Sequence, residues 1–295
     1  MSRLLVALLW VLHWLPLSLQ ATIGRGFGAL LFHLARSRRH VAEVNLRLCF
    51  PEWTEEERRA VLREHFRLLG RSILERGVAW FAPAERIRRL VRLEGKEGVD
   101  AIRAQGRPVI LLVPHFLGLD MGGTRVAMEY DGVYVYSRQK KDPVADHWLN
   151  WGRSRFGDQL QVARQDGIRP VVRALRAGRP LYYLPDLDYG RKESVFVPFF
   201  GVPAATITAL SRLARLTGAA VLTCVTEILP DGKGYVTRFG EPWKDFPTED
   251  EVADAARMNR WLEGEICRMP AQYYWVHRRF KTRPPGGASV YRTRA

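Results

Sequence analysis

The period of hydrophobic positions changes along the chain, and the changes divide it. Residues 4–19 are almost wholly apolar, broken by His13, Pro16 and Ser18. The apolar pattern runs on through Ile23, Phe27, Leu30, Leu31 and Leu34 toward Arg36, Arg38 and Arg39. A straight bilayer span needs about 20 apolar residues, so this stretch is marginal. Only Arg3 precedes it and no A-x-A site follows, which fits a cleaved signal peptide poorly. The expectation is an uncleaved membrane anchor over residues 1–22, spanning the bilayer or lying in its interface. A plain buried helix is the alternative. Basic residues behind an apolar segment tend to stay cytoplasmic, which places the body, residues 23–295, on that side.

Thr54 and Glu57 form a T-x-x-E capping box with Glu55 and Glu56 in the first turn. The helix that follows carries Val61, Phe66, Leu69, Ile73 and Leu74 on one face, with Arg58, Arg59, Arg63, Arg67 and Arg71 elsewhere. A second helix is expected over 98–104, ending at Gly106. Residues 109–113, Val-Ile-Leu-Leu-Val, then form an unbroken apolar run of strand length, as in a strand buried on both faces. Further strands are expected at 133–136, 181–184, 220–226 and 235–238. Helices fall between them at 119–128, 144–156, 168–176, 205–216 and 250–268. Strands alternating with helices predict an α/β fold, a mainly parallel central sheet flanked by helices, with the membrane-associated helix in front. Pro284-Pro285-Gly286-Gly287 begins a polar tail.

Composition narrows the partners. With 47% hydrophobic residues the chain has enough for a sizeable core. Lys and Arg exceed Asp and Glu by 46 to 31, a net charge of +15. That favours an anionic partner: a phospholipid surface, a phosphorylated substrate, an acidic protein or nucleic acid. No helix-turn-helix, zinc finger or RNA-recognition aromatic motif accompanies the charge, so no nucleic-acid partner is expected. Cys49, Cys224 and Cys267 lie far apart, with no C-x-x-C and no Cys/His cluster. They read as free thiols in a reducing compartment, without a disulfide framework or a metal site. Neither G-x-x-x-x-G-K-[ST] nor G-x-G-x-x-G occurs, so no nucleotide cofactor is expected.

Candidate chemistry sits where the buried strand ends. In Val113-Pro114-His115-Phe116-Leu117-Gly118-Leu119-Asp120, His115 is the first residue past the strand's carboxyl end. Open α/β sheets place their sites at that edge. Asp120 falls in the first turn of the next helix. There it can fold back onto one imidazole nitrogen, leaving the other as a general base. No G-x-S-x-G elbow supplies a serine, so the nucleophile would be the substrate's own hydroxyl.

H-x-x-x-x-[DE] in this setting is the signature of the glycerolipid-type acyltransferases. The whole chain further resembles the late acyltransferases of lipid A biosynthesis, the lauroyl and myristoyl transferases. The likeness rests on Asn45-Leu46-Arg47-Leu48-Cys49-Phe50-Pro51-Glu52, Gly77-Val78-Ala79-Trp80-Phe81, His115-Phe116-Leu117, Trp151-Gly152-Arg153 and Pro185-Asp186-Leu187-Asp188-Tyr189-Gly190. Residues 194–200 and the long block 272–284 complete it. The resemblance implies an inner-membrane enzyme with a cytoplasmic active site, an acyl–acyl carrier protein donor, a Kdo-bearing lipid A precursor as acceptor, anionic inner-membrane lipid around it, and no metal. It puts the catalytic pair on His115 and Asp120, a functional arginine on Arg153 and a functional aspartate on Asp186. Members close to the best-known lauroyl enzyme carry Glu where this chain has Asp120.

Read from the residues alone, several of these positions keep two meanings. Arg153 either holds a lipid phosphate or oxyanion, or is a solvated arginine. Arg138 and Arg164 are candidate substrate contacts on the same terms. Asp186 either orients an arginine or the acceptor, or starts a turn with Asp188 and Gly190. Residues 195–200 line an acyl channel or a membrane-facing groove, or fill the core. The basic run 277–283 meets lipid phosphates or the carrier protein, or is a solvated face. The same chemistry on a lysophospholipid, glycolipid or aminolipid, and a non-catalytic basic membrane-surface or nucleic-acid-binding protein, are the competing functions.

Overall fold

Pro16 splits the N-terminal apolar stretch into two helices, α1 (Arg3–Leu12) and α2 (Leu17–Leu34). The computed structural model describes residues 3–136 and 142–291. Among those, no helix is long and apolar enough to cross a membrane; the segment expected to be an anchor, spanning or interfacial, is a broken pair of helices. The division expected after residue 22 falls inside α2. Both helices lie on α4 (Glu55–Phe81), which follows α3 (Arg36–Cys49). Gly70 and Gly77 of α4 make this possible. A Cβ on Gly70 would collide with the Gly24 carbonyl and the Gly28 nitrogen, and one on Gly77 with the Leu9 carbonyl. Seven residues apart, the two glycines lie on one helix face and take one N-terminal helix each.

The expected capping box starts α4: Thr54 Oγ1 accepts from the Glu57 N–H, and the Glu57 carboxylate accepts the Thr54 N–H. Inside the helix Arg71 and Glu75 are a buried ion pair at 2.7 Å. Arg71 also donates to the Leu229 carbonyl, and the Tyr235 hydroxyl donates to Glu75. The pair is tolerated in the core because its polar atoms are matched.

After α5 (Ala84–Leu90) come β1 (Val91–Glu94), α6 (Lys96–Ala104), β2 (Val109–Leu112), α7 (Leu119–Ala127), β3 (Val133–Tyr136), α8 (Pro143–Arg153), β4 (Leu160–Ala163), α9 (Arg169–Arg176) and β5 (Leu181–Tyr183). The hairpin β6 (Ser194–Phe199) and β7 (Val202–Ile207) leads into α10 (Ala209–Thr217), β8 (Ala220–Ile228), β9 (Tyr235–Phe239) and α11 (Glu251–Arg268). The main sheet has the order β1-β9-β8-β2-β5-β3-β4 and is parallel except between β8 and β9. All four β2 residues are buried at its centre, as the unbroken apolar run requires.

The hairpin departs from the helix expected over 205–216, which begins only at Ala209. Phe200 and Gly201 form the two-residue turn, both at positive φ (49° and 72°). Such turns suit hairpins, but their usual Asn-Gly signal is absent here. Within the aromatic run 195–200, Phe199 is buried against Tyr273 and Phe280 and Val197 is buried too, while Pro198 is exposed and the rest are half-buried. The three cysteines are free thiols, Cys49 and Cys224 buried and Cys267 exposed.

Candidate active site

Strands β2 and β5 are hydrogen-bonded neighbours, with Leu112 opposite Tyr183. The chains leave the sheet side by side, and Val113 N–H still donates to the Tyr183 carbonyl at 2.8 Å. His115 and Asp186 follow directly. His115 Nδ1 lies 2.6 Å from Asp186 Oδ1, and the His115 main-chain N–H donates to Oδ2 at 2.9 Å. Ring and backbone of one residue are thus gripped by one carboxylate. Asp186 is buried and the imidazole is mostly so, with side-chain exposures of 3% and 19%. Burial pushes the Asp186 carboxyl upward, but the charge of His115 and its two hydrogen bonds outweigh it and leave the group below its ordinary value.

The partner of the imidazole is therefore Asp186, not Asp120 as the local spacing suggested. Asp120 is held by cations. Arg76 of α4 contacts its Oδ2 at 2.8 Å and Arg153 of α8 its Oδ1 at 3.3 Å. Burial opposes ionisation, yet the two guanidinium groups bring the Asp120 pKa down to about 2. Arg153 reaches this place because Gly152 lets α8 lie against α4: a Cβ there would overlap the Trp80 indole.

A second strand-like contact fixes the loop after β2. The Tyr274 N–H donates to the His115 carbonyl at 3.0 Å and the Leu117 N–H to the Gln272 carbonyl at 2.8 Å. Phe116 and Tyr273 form the bridge between them. Farther along the same segment, His277 Nε2 accepts the Asp188 N–H at 3.1 Å. Asp188 in turn accepts from the Thr282 N–H and hydroxyl. Burial, then the charge of His115, lowers His277 to about 4, so near neutral pH it is an uncharged acceptor. The run 277–283 is not a uniformly solvated face: Arg279 is buried, donating to the Ala205 carbonyl and Thr206 Oγ1.

His115, Asp120, Arg153 and Arg164 all line one cavity of about 900 Å³. Arg164 stacks over the Tyr189 ring at 4.6 Å. Arg138, the remaining candidate, lies outside the described residues. Beyond the polar group the cavity continues along α7 and the sheet, past Gly123, Leu111, Val126 and Tyr182 to Tyr130. Asn150, Lys192, Glu193 and Arg212 also line it, so the cavity combines apolar walls with several polar groups, which suits a ligand with an apolar body and polar groups. Among the described residues no group of His, Cys, Asp and Glu is arranged to hold a metal ion. Arg76, Tyr274 and the His277–Asp188 support were not singled out from sequence. Their signal was position: Arg76 precedes the block 77–81, and the others fall inside blocks 185–190 and 272–284.

A family model described as bacterial lipid A biosynthesis acyltransferase matches residues 2–282. The chain is 39% identical to the lipid A biosynthesis lauroyltransferase of Escherichia coli (strain K12), over 97% of this chain and 93% of that protein. It is 36% identical to the lipid A biosynthesis palmitoleoyltransferase of the same organism, over 97% and 92%. A lipid A biosynthesis acyltransferase of Haemophilus influenzae is 38% identical, over 92% and 86%.

Proposed function

Since the chain belongs to the bacterial lipid A biosynthesis acyltransferases, we propose that it moves a fatty acyl chain from acyl–acyl carrier protein to a hydroxyl of a Kdo-bearing lipid A precursor. His115 is the general base. The observation that carries this reading is the 2.6 Å contact from His115 Nδ1 to buried Asp186, with His115 on the wall of a cavity large enough for an acyl chain. A carboxylate on Nδ1 fixes the tautomer in which Nε2 is the basic nitrogen.

The steps follow from that tautomer. Nε2 takes the proton of the acceptor hydroxyl as its oxygen attacks the thioester carbonyl. The new C–O bond forms, the C–S bond breaks, and the carrier thiolate leaves with the proton held by the imidazolium. Asp186 stabilises that imidazolium while it exists. Arg153, partly exposed on the cavity wall, meets either the oxyanion or a lipid phosphate, and Arg164 meets phosphate. Asp120 keeps Arg76 and Arg153 in place. The apolar length of the cavity holds the donor's acyl chain. The site works at the cytoplasmic face of the inner membrane, where the acidic carrier protein and anionic lipid meet a chain of net charge +15.

The test is a reconstituted reaction. Purified protein is given a panel of acyl-carrier thioesters and a tetra-acylated Kdo-lipid A precursor, and products are weighed by mass spectrometry. A gain of one acyl group on the precursor is expected. Transfer only to a lysophospholipid, glycolipid or aminolipid would move the acceptor elsewhere; no transfer to any acceptor would end the reading.

A further inference from the structure

The cavity beside His115 touches both faces of the main sheet. Tyr182 and Tyr183 are consecutive in β5, so their side chains leave the sheet on opposite faces, yet both line the cavity. On one face it meets the core under α7, where Tyr182 packs with Leu111, Val126 and Tyr130. On the other it meets the core that Tyr183 shares with Val133, Val171 of α9 and Leu213 of α10. The lining residues His115, Leu187 and Arg164 follow the carboxyl ends of β2, β5 and β4. The cavity therefore passes round that edge as two apolar arms, and they meet beside the imidazole.

The second arm is a groove between α9 and α10. Ala209, Arg212, Leu213 and Leu216 line it from one face of α10, at the spacing i, i+3, i+4 and i+7. Ile168 and Val171 line it from the start of α9. From 209 to 216 the helix rises about 10 Å. Ile168 and Leu216 leave the groove open and apolar, at 41% and 53% exposure. Its head is basic: Arg164, Lys192 and Arg212 line it, with Glu193 as the acidic neighbour, 3.7 Å from Arg212. Arg212 Nε is buried without a hydrogen-bond partner, and among the described residues no carboxylate pairs with Arg164 or Lys192. An apolar trough under such a head suits an alkyl chain with a phosphate close by.

Direct transfer, with no enzyme serine to carry the acyl group, requires donor and acceptor to be bound together. One arm serves each. We infer that the α9–α10 groove holds an acyl chain of the phosphorylated acceptor lipid, with its phosphate against Arg212 and Arg164, while the donor's chain lies along α7. The inference rests on the acyl transfer proposed above. Ile168→Glu and Leu216→Glu alter exposed positions, and thermal melts check that both fold. Each should raise KM for the tetra-acylated Kdo-lipid A precursor by roughly tenfold or more, and Arg212→Gln by about tenfold. KM for the acyl-carrier thioester and the chain-length preference should not move. A second readout needs no turnover: an environment-sensitive fluorophore at Leu216→Cys, in a Cys267→Ser background, should shift to the blue with the precursor and not with the thioester. A shift with the thioester alone, or a changed donor chain-length preference in Leu216→Glu, would give the groove to the donor and overturn the proposal. Unchanged precursor KM in both Glu variants of an active enzyme would overturn it too. Wild-type protein that transfers nothing while the probe still responds to the precursor would end the proposed reaction and keep the acceptor groove.

Discussion

Asp186 stands as far past the end of β5 as His115 stands past the end of β2. Leu112 and Tyr183 are paired across the two strands, and each of the two residues lies three positions beyond its member of that pair. Parallel register therefore sets the imidazole–carboxylate contact, and the grip on the His115 N–H removes the remaining freedom. His115→Ala should lower acyl transfer by about 10²–10⁴-fold, the range for a positioned acid–base group. Asp186→Asn keeps the shape but disfavours the working tautomer, and should fall in the same range, mostly in kcat. Steady-state rates on folded variants decide this. Near-full activity of Asp186→Asn would leave the ring's orientation to some other group.

Asp120 should behave differently, because its partners are Arg76 and Arg153 rather than the base. Asp120→Asn leaves two guanidinium groups facing each other without the charge that separates them. The expected result is a rise in KM larger than the fall in kcat, with about 1–3 kcal/mol lost from stability. Because its folded pKa lies below its ordinary 3.8, the Asp120 contribution is complete above that pH and disappears as pH falls through about 2. Denaturant melts of the two proteins should therefore converge in strong acid. A variant whose kcat collapsed with KM unchanged would instead place Asp120 in the chemistry.

How much of this was open to sequence reading depends on distance along the chain. The capping box at Thr54, the buried strand ahead of His115 and the exit of Asp186 from a strand are local patterns, and each is found in the fold. The carboxylate partner is not local. Asp120 lies five residues from His115 and Asp186 seventy-one, and only the β2–β5 register reveals that the farther one is closer in space. Arg76 was hidden similarly, one arginine among several on a long helix, distinguished only by where α7 crosses it. The β6–β7 hairpin was missed because its turn is Phe200-Gly201 and its second strand, rich in alanine and threonine, reads equally as helix. At the N-terminus the composition suggested lipid, but the clamps at Gly70 and Gly77 are tertiary contacts with no signature in an apolar run.

Gly123 offers a direct probe of the cavity as the acyl site. It lines the apolar stretch, and a Cβ there would meet the Tyr182 ring and hydroxyl at 3.4–3.5 Å, ordinary contact distances. Alanine should fit with little effect. Gly123→Val or Gly123→Leu would extend into the space assigned to the chain. Against a panel of acyl-carrier thioesters, the kcat/KM preference should shift toward shorter chains. The shift expected is roughly 10–200-fold in the ratio for each methylene excluded. An unaltered chain-length profile in a folded Gly123→Leu protein would move the acyl chain out of this cavity.

The uncharged state of His277 ties stability to pH. Its pKa is lowered from 6.5 to about 4, first by burial and then by the charge of His115, while Nε2 must stay unprotonated to accept the Asp188 N–H. In the unfolded chain the ring takes up a proton below about 6.5. The unfolded state therefore binds more protons between pH 6.5 and 4, and stability falls as pH drops through that window. At 1.36 kcal/mol per pH unit the loss is about 3 kcal/mol. His277→Gln retains an acceptor for the Asp188 N–H and has nothing to titrate. Its melting temperature should change less than the wild type's between pH 6.5 and 4, with the two proteins most alike near neutral pH and diverging as pH falls toward 4. Parallel melting curves across that range would show that His277 is free to take its proton in the folded protein, and that the loop carrying Asp188 opens to allow it.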